Sequence, residues 1–379
     1  MSYAAAMSTH PDAATAVGEI VGEVLETLGE SPDVSIVFVS DTHFESVALI
    51  HTTIRRLVGG SLIGCTSSSI VGGAVEVENS SAISLWSACL DEATPLKLQA
   101  EPGQRLRVTP DVLSGTEGRE DLALVLLTDP FSFTVDESLD QFAKYFPSLQ
   151  VIGGMASPTR GPGSTRLFWD DEILDRGAVG LLIGGGHVLP VVSQGCRPVG
   201  RPMAVTACEG NVIGELAGKA ALLRLQSLFD GLPEDERRPF SEGLQIGRVV
   251  DERLAEFDRG DFLIRAVMGA DNTSGSIAIG DTVDLGDTVQ FQIRDATTAR
   301  EDLRLALWNA KGAESAVVFT CNGRGQRFFD EPSHDARAIH ERLGIDAVAG
   351  MFCAGEIGPV GTRSFVHGFT TSIAFFGAR

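Results

Sequence analysis

Residues 347–361 read AVAGMFCAGEIGPVG, and 315–325, about thirty residues earlier, read SAVVFTCNGRG. Each is a short apolar strand running into glycine and small polar residues, and the spacing predicts a helix over 335–343 between them. The same phrase occurs twice more. SIVFVS (35–40), a helix over 42–58, SLIGCTSSSIVGG (61–73) and SAISLWSA (81–88) form one copy. LALVLLTD (122–129), a helix over 136–146, QVIGGMASPTR (150–160) and GAVGLLIGG (177–185) form another, and SFVHGFTTSIAFFG (364–377) completes the copy that contains the first two stretches. Ser35 to Gly64, Leu122 to Gly153 and Ser315 to Gly350 are separated by 29, 31 and 35 residues. A supersecondary unit repeated at near-constant spacing predicts repeated architecture.

The helices carry apolar stripes at helical spacing, as in Phe44, Val47, Ala48, Ile54 and Leu57, so each should bury one face against a sheet. Val17, Ile20, Val21, Val24, Leu25 and Leu28 predict a further helix over 14–28. A long helix is expected over 212–229. FLIRAVMG (262–269), SIAIG (276–280) and TVQFQIRD (288–295) read as strands, the last alternating Val289, Phe291 and Ile293 with Gln290 and Gln292. Polar stretches at 99–121 and 230–247 interrupt the chain, the second being the better boundary. The expected division is an N-terminal tail and helix over 1–33, then modules over 34–229 and 230–379. The expected fold class is mixed α/β: layered sheets with helices on their outer faces, built from strand-helix-strand-strand units, with a four-layer αββα arrangement as one way to bury every stripe.

At 379 residues the chain can build a substantial core. Its net charge of −21, with no basic run longer than Arg55-Arg56 or Arg237-Arg238, gives no footprint for nucleic acid or an anionic membrane. Six scattered cysteines without a C-x-x-C pair read as reduced thiols, and residues 1–11 lack the pattern of a signal peptide. The longest apolar run, 179–192, is broken by Gly184 to Gly186, His187 and Pro190. A cytoplasmic protein is expected. Nucleotide loops are absent: the third glycine after Gly323 and Gly325 is replaced by Phe328, and no G-x-x-x-x-G-K-[ST] occurs.

GCTSSSIVGG (64–73), VIGGMASP (151–158), VSQGCRPVG (192–200), VTACEGNVIGELAGKAAL (205–222), CNGRG (321–325), GMFCAGEIGPVG (350–361) and HGFTTSIAFF (367–376) follow one another in an order that resembles the FIST N and FIST C sensory domains of bacterial signalling proteins. The resemblance covers about residues 34–375. It implies a small-ligand sensor, with amino acids as proposed ligands and haem in some members that sense nitric oxide. It also implies that related modules occur fused to kinase, cyclase or F-box partners. Here the chain ends directly after the last strand, so a signal is expected to pass to a separate protein, and a homodimer is within what the sequence allows.

The candidate site is the set of glycine-rich strand ends, expected to converge between the two modules. It comprises Cys65, Ser67, Ser68, Gly153, Gly154, Ser157, Arg197, Asn322, Arg324, Cys353 and Glu356. An amino acid presents a carboxylate and an ammonium group. Arg324 or Arg197 would meet the first and Glu356 the second, with structural ion pairs as the alternative. Ser67, Ser68 and Ser157 would add hydroxyls, or cap turns.

No catalytic residue is expected. The enzymatic alternative is a thiol-dependent transferase or hydrolase using Cys353 or Cys321, with His367 as base, although no nucleophile elbow surrounds either thiol. No cofactor or metal is expected: His334 and His340 fall on different helix faces and no H-E-x-x-H occurs. Haem on a single axial His367 or His187 is the alternative. A ligand-free interaction module is the third.

Overall fold

The computed structural model describes residues 1–98, 113–116 and 118–377. Most of the polar stretch at 99–121 lies outside the described residues. Contacts divide the chain into two compact units, each assembled from separated segments. The first holds 1–193, 303–366 and 370–379, and the second 194–302 with 367–369.

The first repeat comprises β1 (Ser2–Ser8), α1 (Ala13–Leu28), β2 (Val34–Ser40), α2 (Val47–Leu57), β3 (Ser61–Ser67), the hairpin β4 (Ile70–Gly72) and β5 (Val75–Val77), and β6 (Ile83–Cys89). The second is β7 (Ala93–Leu98), β8 (Ala123–Thr128), α3 (Val135–Tyr145), β9 (Gln150–Met155), the hairpin β10 (Leu167–Trp169) and β11 (Glu172–Leu174), and β12 (Ala178–Ile183). β13 (Val188–Gln194) opens the third. The second unit then intervenes. Its elements are β14 (Cys196–Pro198), β15 (Met203–Glu209), β16 (Val212–Leu216), β17 (Lys219–Ala220), α4 (Ala221–Gly231), α5 (Glu234–Gly243), β18 (Leu244–Val249), β19 (Phe262–Asp271), β20 (Ser276–Ile279) and β21 (Thr288–Arg294). They form an eight-stranded sheet around a core that includes Val205, Ile213, Ile246, Ile277 and Phe291. After α6 (Ala296–Ala306), the third repeat resumes with β22 (Ser315–Cys321), α7 (Gln326–Phe329), α8 (His334–Leu343), β23 (Val348–Cys353), the hairpin β24 (Gly355–Val360) and β25 (Arg363–His367), and β26 (Thr370–Phe376).

The three repeats build three six-stranded sheets with one shared plan. In each, the first and second strands pair in parallel, as β2 with β3, β8 with β9 and β22 with β23. The last strand returns antiparallel to the first, as β6 to β2, β12 to β8 and β26 to β22. Each hairpin leaves its own repeat and extends another's sheet. β10–β11 continue from β3, β24–β25 from β9, and β4–β5 from β23. The exchange is cyclic, so no repeat is complete without the others.

One core joins the three sheets, drawing Phe38 and Trp86 from the first, Val125 and Ile152 from the second, and Val317, Met351 and Phe376 from the third. Helices cover the outer faces: α1 and α2 over Val37 and Leu85, α3 over Leu124 and Leu126, and α8 over Val318 and Phe375. The expected mixed α/β class with helices on the outer faces of the sheets is present, and three sheets share the central core.

A glycine fixes the spacing of the parallel strands in every repeat. Gly64 lies opposite Val37, Gly153 opposite Leu126 and Gly350 opposite Val318. A Cβ at any of the three would run into the carbonyl oxygen of its partner. These are the glycines by which the repeats align in the sequence.

Two expectations are corrected. The segment expected to be helical from 212 is the β16–β17 hairpin up to Ala220, and α4 starts only at Ala221. Val212 and Ile213 pair instead with Ala278 and Ile277, and Ala217 and Gly218 adopt positive φ between the strands. The N-terminal tail is not irregular either. Ser2 to Ser8 pair along the whole of β6, with Ala4 and Ala6 buried beneath α1.

Candidate functional site

The strand ends expected to converge do so inside the first unit, where polar side chains from all three repeats meet. Ser67 Oγ donates to the Phe352 carbonyl at 2.6 Å, and Ser157 Oγ donates to the same oxygen at 2.9 Å. The Ser67 and Ser157 hydroxyls are 2.9 Å apart, and Ser68 Oγ lies 2.9 Å from Ser157 Oγ. Ser68 Oγ also donates to Asn322 Oδ1 at 3.2 Å. Exposure falls inward. Asn322 is exposed and Ser68 and Cys321 are partly so, whereas Ser67, Ser157, Cys353, Glu356 and Arg324 are buried.

Glu356 is out of place in a core. On each exchanged hairpin, one residue faces the position just after the spacing glycine. It is Ile70 opposite Met351, Leu167 opposite Cys65, and Glu356 opposite Gly154. All three are fully buried. Two repeats thus fill this position with aliphatic side chains, and the third places a carboxyl there. Gly154, opposite Glu356, leaves room for Cys353, since a Cβ on it would strike Cys353 Sγ.

Glu356 Oε2 accepts from the Thr370 backbone N–H at 3.1 Å and from Thr370 Oγ1 at 2.9 Å. Oε1 has no partner of hydrogen-bonding geometry among the described residues. Burial pushes the carboxyl up to about 8. The Thr370 donors, the Cys321 thiol and the charge of Arg324 oppose that rise without cancelling it. Near neutral pH Glu356 is therefore mostly protonated.

Arg324 is 1% exposed and makes a two-pronged pair with Asp335 on α8, Nε to Oδ2 and Nη2 to Oδ1, each at 2.9 Å. Thr320 Oγ1 donates to Asp335 at 2.7 Å, His334 Nδ1 lies 2.8 Å from Oδ1, and the His334 ring stacks on Phe329. Burial acts to lower the Arg324 guanidinium, but the charge and hydrogen bonds of Asp335, then Cys321 and Glu356, hold it above its usual value. Burial acts to raise Asp335, and Arg324 and His334 override it, holding the carboxyl well below the usual range. The third guanidinium nitrogen, Nη1, is buried and has no partner among the described residues. A buried donor of this kind costs on the order of 1–3 kcal/mol if nothing meets it.

Behind Asp335, the β4–β5 hairpin of the first repeat braces the third. Glu76 Oε1 accepts from Ala336 N in the first turn of α8 at 2.9 Å, and the Glu76 N–H donates to Ser333 Oγ at 3.0 Å. Glu78 accepts from Gln326 N at the start of α7 at 2.6 Å. Burial, then Asp335, push the Glu76 carboxyl up to about 8 against the Ala336 hydrogen bond.

Cys65 Sγ donates to Met351 Sδ at 3.2 Å, and Cys353 Sγ lies 3.8 Å from the Met351 carbonyl. Burial pushes both thiols up, Cys353 with help from Glu356, so both are held protonated. Neither thiol is the ionised nucleophile that would open a transferase or hydrolase reaction. Among the described residues, no group of three His, Cys, Asp or Glu is placed to hold a metal ion.

Of the sequence candidates, Cys65, Ser67, Ser68, Gly153, Gly154, Ser157, Asn322, Arg324, Cys353 and Glu356 all lie in the first unit, on the ends of β3, β9, β22 and β23 or just after them. Arg197 lies in the second unit, 3.4 Å from Glu236 and 3.6 Å from Asp295. His367 is buried in the second unit, and His187 sits on the turn before β13. Asp335, Glu76 and Thr370 were missed. Each acts through a fold-dependent contact 11 or more positions away, for which no local sequence signal exists. Glu356, legible in the sequence only as the one carboxylate of a glycine-rich turn, lies within strand β24.

The FIST N domain pattern matches residues 33–219 and the FIST C domain pattern matches 221–359. An uncharacterized protein of Mycobacterium tuberculosis is 42% identical over 385 aligned positions, covering 99% of this chain and 100% of the relative. One from Mycobacterium bovis is 41% identical over 384 positions, covering 99% of each. No helix among the described residues is long and apolar enough to cross a membrane. With both domain patterns matched in order along most of its length, the chain belongs to the FIST family of small-ligand sensory domains in signal transduction.

Proposed function

We propose that this protein is a cytoplasmic sensor whose ligand is a small metabolite bearing a carboxylate and an ammonium group, of the amino-acid class. The ligand binds where the strand ends of the three repeats meet. One observation carries the reading: within one polar cluster, a buried arginine has a nitrogen and a buried glutamate an oxygen without a partner among the described residues, and that glutamate occupies a position which both other repeats fill with an aliphatic residue.

Arg324 Nη1 meets the carboxylate, with Ser68 and Asn322 at the rim adding hydrogen bonds. The ammonium meets Glu356 and draws it into the ionised form. Four changes then occur together: two orphaned polar atoms gain partners, a buried acid gains a counter-charge, and the loop carrying Arg324 is tied to β24. Because Arg324 and Glu356 are buried, binding requires the partly exposed segment 321–323 to move. That motion is the means by which occupancy is passed to a separate output protein.

Thermal unfolding against a panel of α-amino acids, matched carboxylates and matched amines tests the reading. A ligand at a hundred times its dissociation constant stabilises by about 2.7 kcal/mol. Amino acids are expected to stabilise while compounds holding only one of the two groups do not, and Ser68→Ala or Asn322→Ala weakens the effect without altering the unliganded transition. A flat panel from folded protein overturns the proposal.

A further inference from the structure

Cys321 and Cys353 stand directly opposite each other in register at the ends of the adjacent parallel strands β22 and β23. Neighbouring strands lie about 4.8 Å apart, within the Cα separation of about 4.4–6.8 Å that a disulfide spans. Paired residues of adjacent strands project to the same side of a sheet, and here that side is the central core, where Cys353 packs with Cys65 and Met351. The two thiols differ in access. Cys321 is partly exposed, whereas Cys353 is fully buried. The charge of the Arg324 guanidinium acts on Cys321, and a neighbouring cation favours the thiolate. A partly exposed cysteine beside a cation, with a second cysteine in register on the neighbouring strand, is the arrangement of a sensing cysteine and its resolving partner.

We propose that Cys321 and Cys353 form a peroxide-sensitive dithiol that closes to an intramolecular disulfide. Cys321 Sγ attacks one oxygen of a hydroperoxide and the O–O bond breaks. With hydrogen peroxide, the leaving hydroxide takes the thiol proton and departs as water. Cys353 Sγ then displaces the hydroxyl of the resulting sulfenic acid, which leaves with the Cys353 proton as a second water. Two thiols are oxidised by two electrons in all, and one peroxide is reduced by two. The bond closes across the strand ends and removes the thiol that faces Glu356. It forms whatever the ligand of the neighbouring site, so its test is separate from the sensor reading.

The experiment treats the reduced full-length chain with hydrogen peroxide, alkylates the remaining thiols after denaturation, and maps the cross-linked peptides by mass spectrometry. Titratable thiols are expected to fall from six to four, with Cys321 linked to Cys353 and full recovery after dithiothreitol. Cys321→Ser, a change at a partly exposed position, is expected to keep all five remaining thiols through the same treatment. Retention of six thiols overturns the proposal. So does a bridge involving Cys89 or Cys208, the other partly exposed cysteines, or thiol loss that persists in Cys321→Ser.

Discussion

Replacing Glu356 by Gln should change how stability depends on pH, and the size of the change follows from the burial of this one carboxyl. The group moves from about 4.5 in the unfolded chain to about 8 in the folded protein. Below the lower value both states hold the proton and the carboxyl costs nothing. Between the two values the unfolded chain releases its proton while the folded protein keeps it, so each pH unit favours unfolding by about 1.4 kcal/mol. Above the upper value both states are ionised and the loss levels off at about 5 kcal/mol. At pH 7 the loss attributable to Glu356 is about 3 kcal/mol. Glutamine has the same shape and can accept from Thr370, and whatever its amide costs in the core is independent of pH. The assay is urea unfolding of both proteins at several pH values from 5 to 8, compared as a difference. The variant should gain on the natural chain by about 3 kcal/mol across that range, while both retain the slope that Glu76 contributes. A difference that stays constant with pH would refute the argument, because it would mean that Glu356 ionises in the folded protein as freely as in the unfolded chain.

Gly350→Ala should destabilise the protein by several kcal/mol, because the new Cβ meets the Val318 carbonyl oxygen between two buried strands. Gly22→Ala, on α1 with open space around it, should stabilise by about 0.5–1 kcal/mol; thermal unfolding of the two variants reads both signs. Arg324→Met leaves Asp335 buried without its cation and should cost about 3–5 kcal/mol, measured in urea. Adding Asp335→Asn to that variant should recover much of the loss, and strict additivity of the two changes would deny that they form one unit.

Much of the architecture was legible because it repeats. The spacing glycines 64, 153 and 350 align the copies, and the structure supplies the reason: each keeps two parallel strands at contact distance with no side chain between them. The destination of the hairpins was not legible. Turn residues mark where β4–β5, β10–β11 and β24–β25 bend, but nothing local states which sheet each extends, and the exchange between repeats brings Ser67, Ser157 and Phe352 together. Helix periodicity failed over 212–220, where Val212, Ile213 and Leu216 satisfy either period and partner strands decide the outcome. Ser2 to Ser8 looked like a tail because its small residues carry little strand propensity; pairing with β6 and cover from α1 override that. For Arg324 the sequence left two roles open, and the guanidinium has atoms for both: two nitrogens on Asp335 and a third without a partner among the described residues.

In the proposed sensor, Glu356 stays neutral until a ligand ammonium arrives. Calorimetric titration with the best-stabilising α-amino acid, run at pH 7 in two buffers of different ionisation enthalpy, measures the protons exchanged on binding. The account predicts release of about one proton per ligand bound, and its loss in Glu356→Gln. Binding with no proton release, or with the same release in the variant, would contradict it.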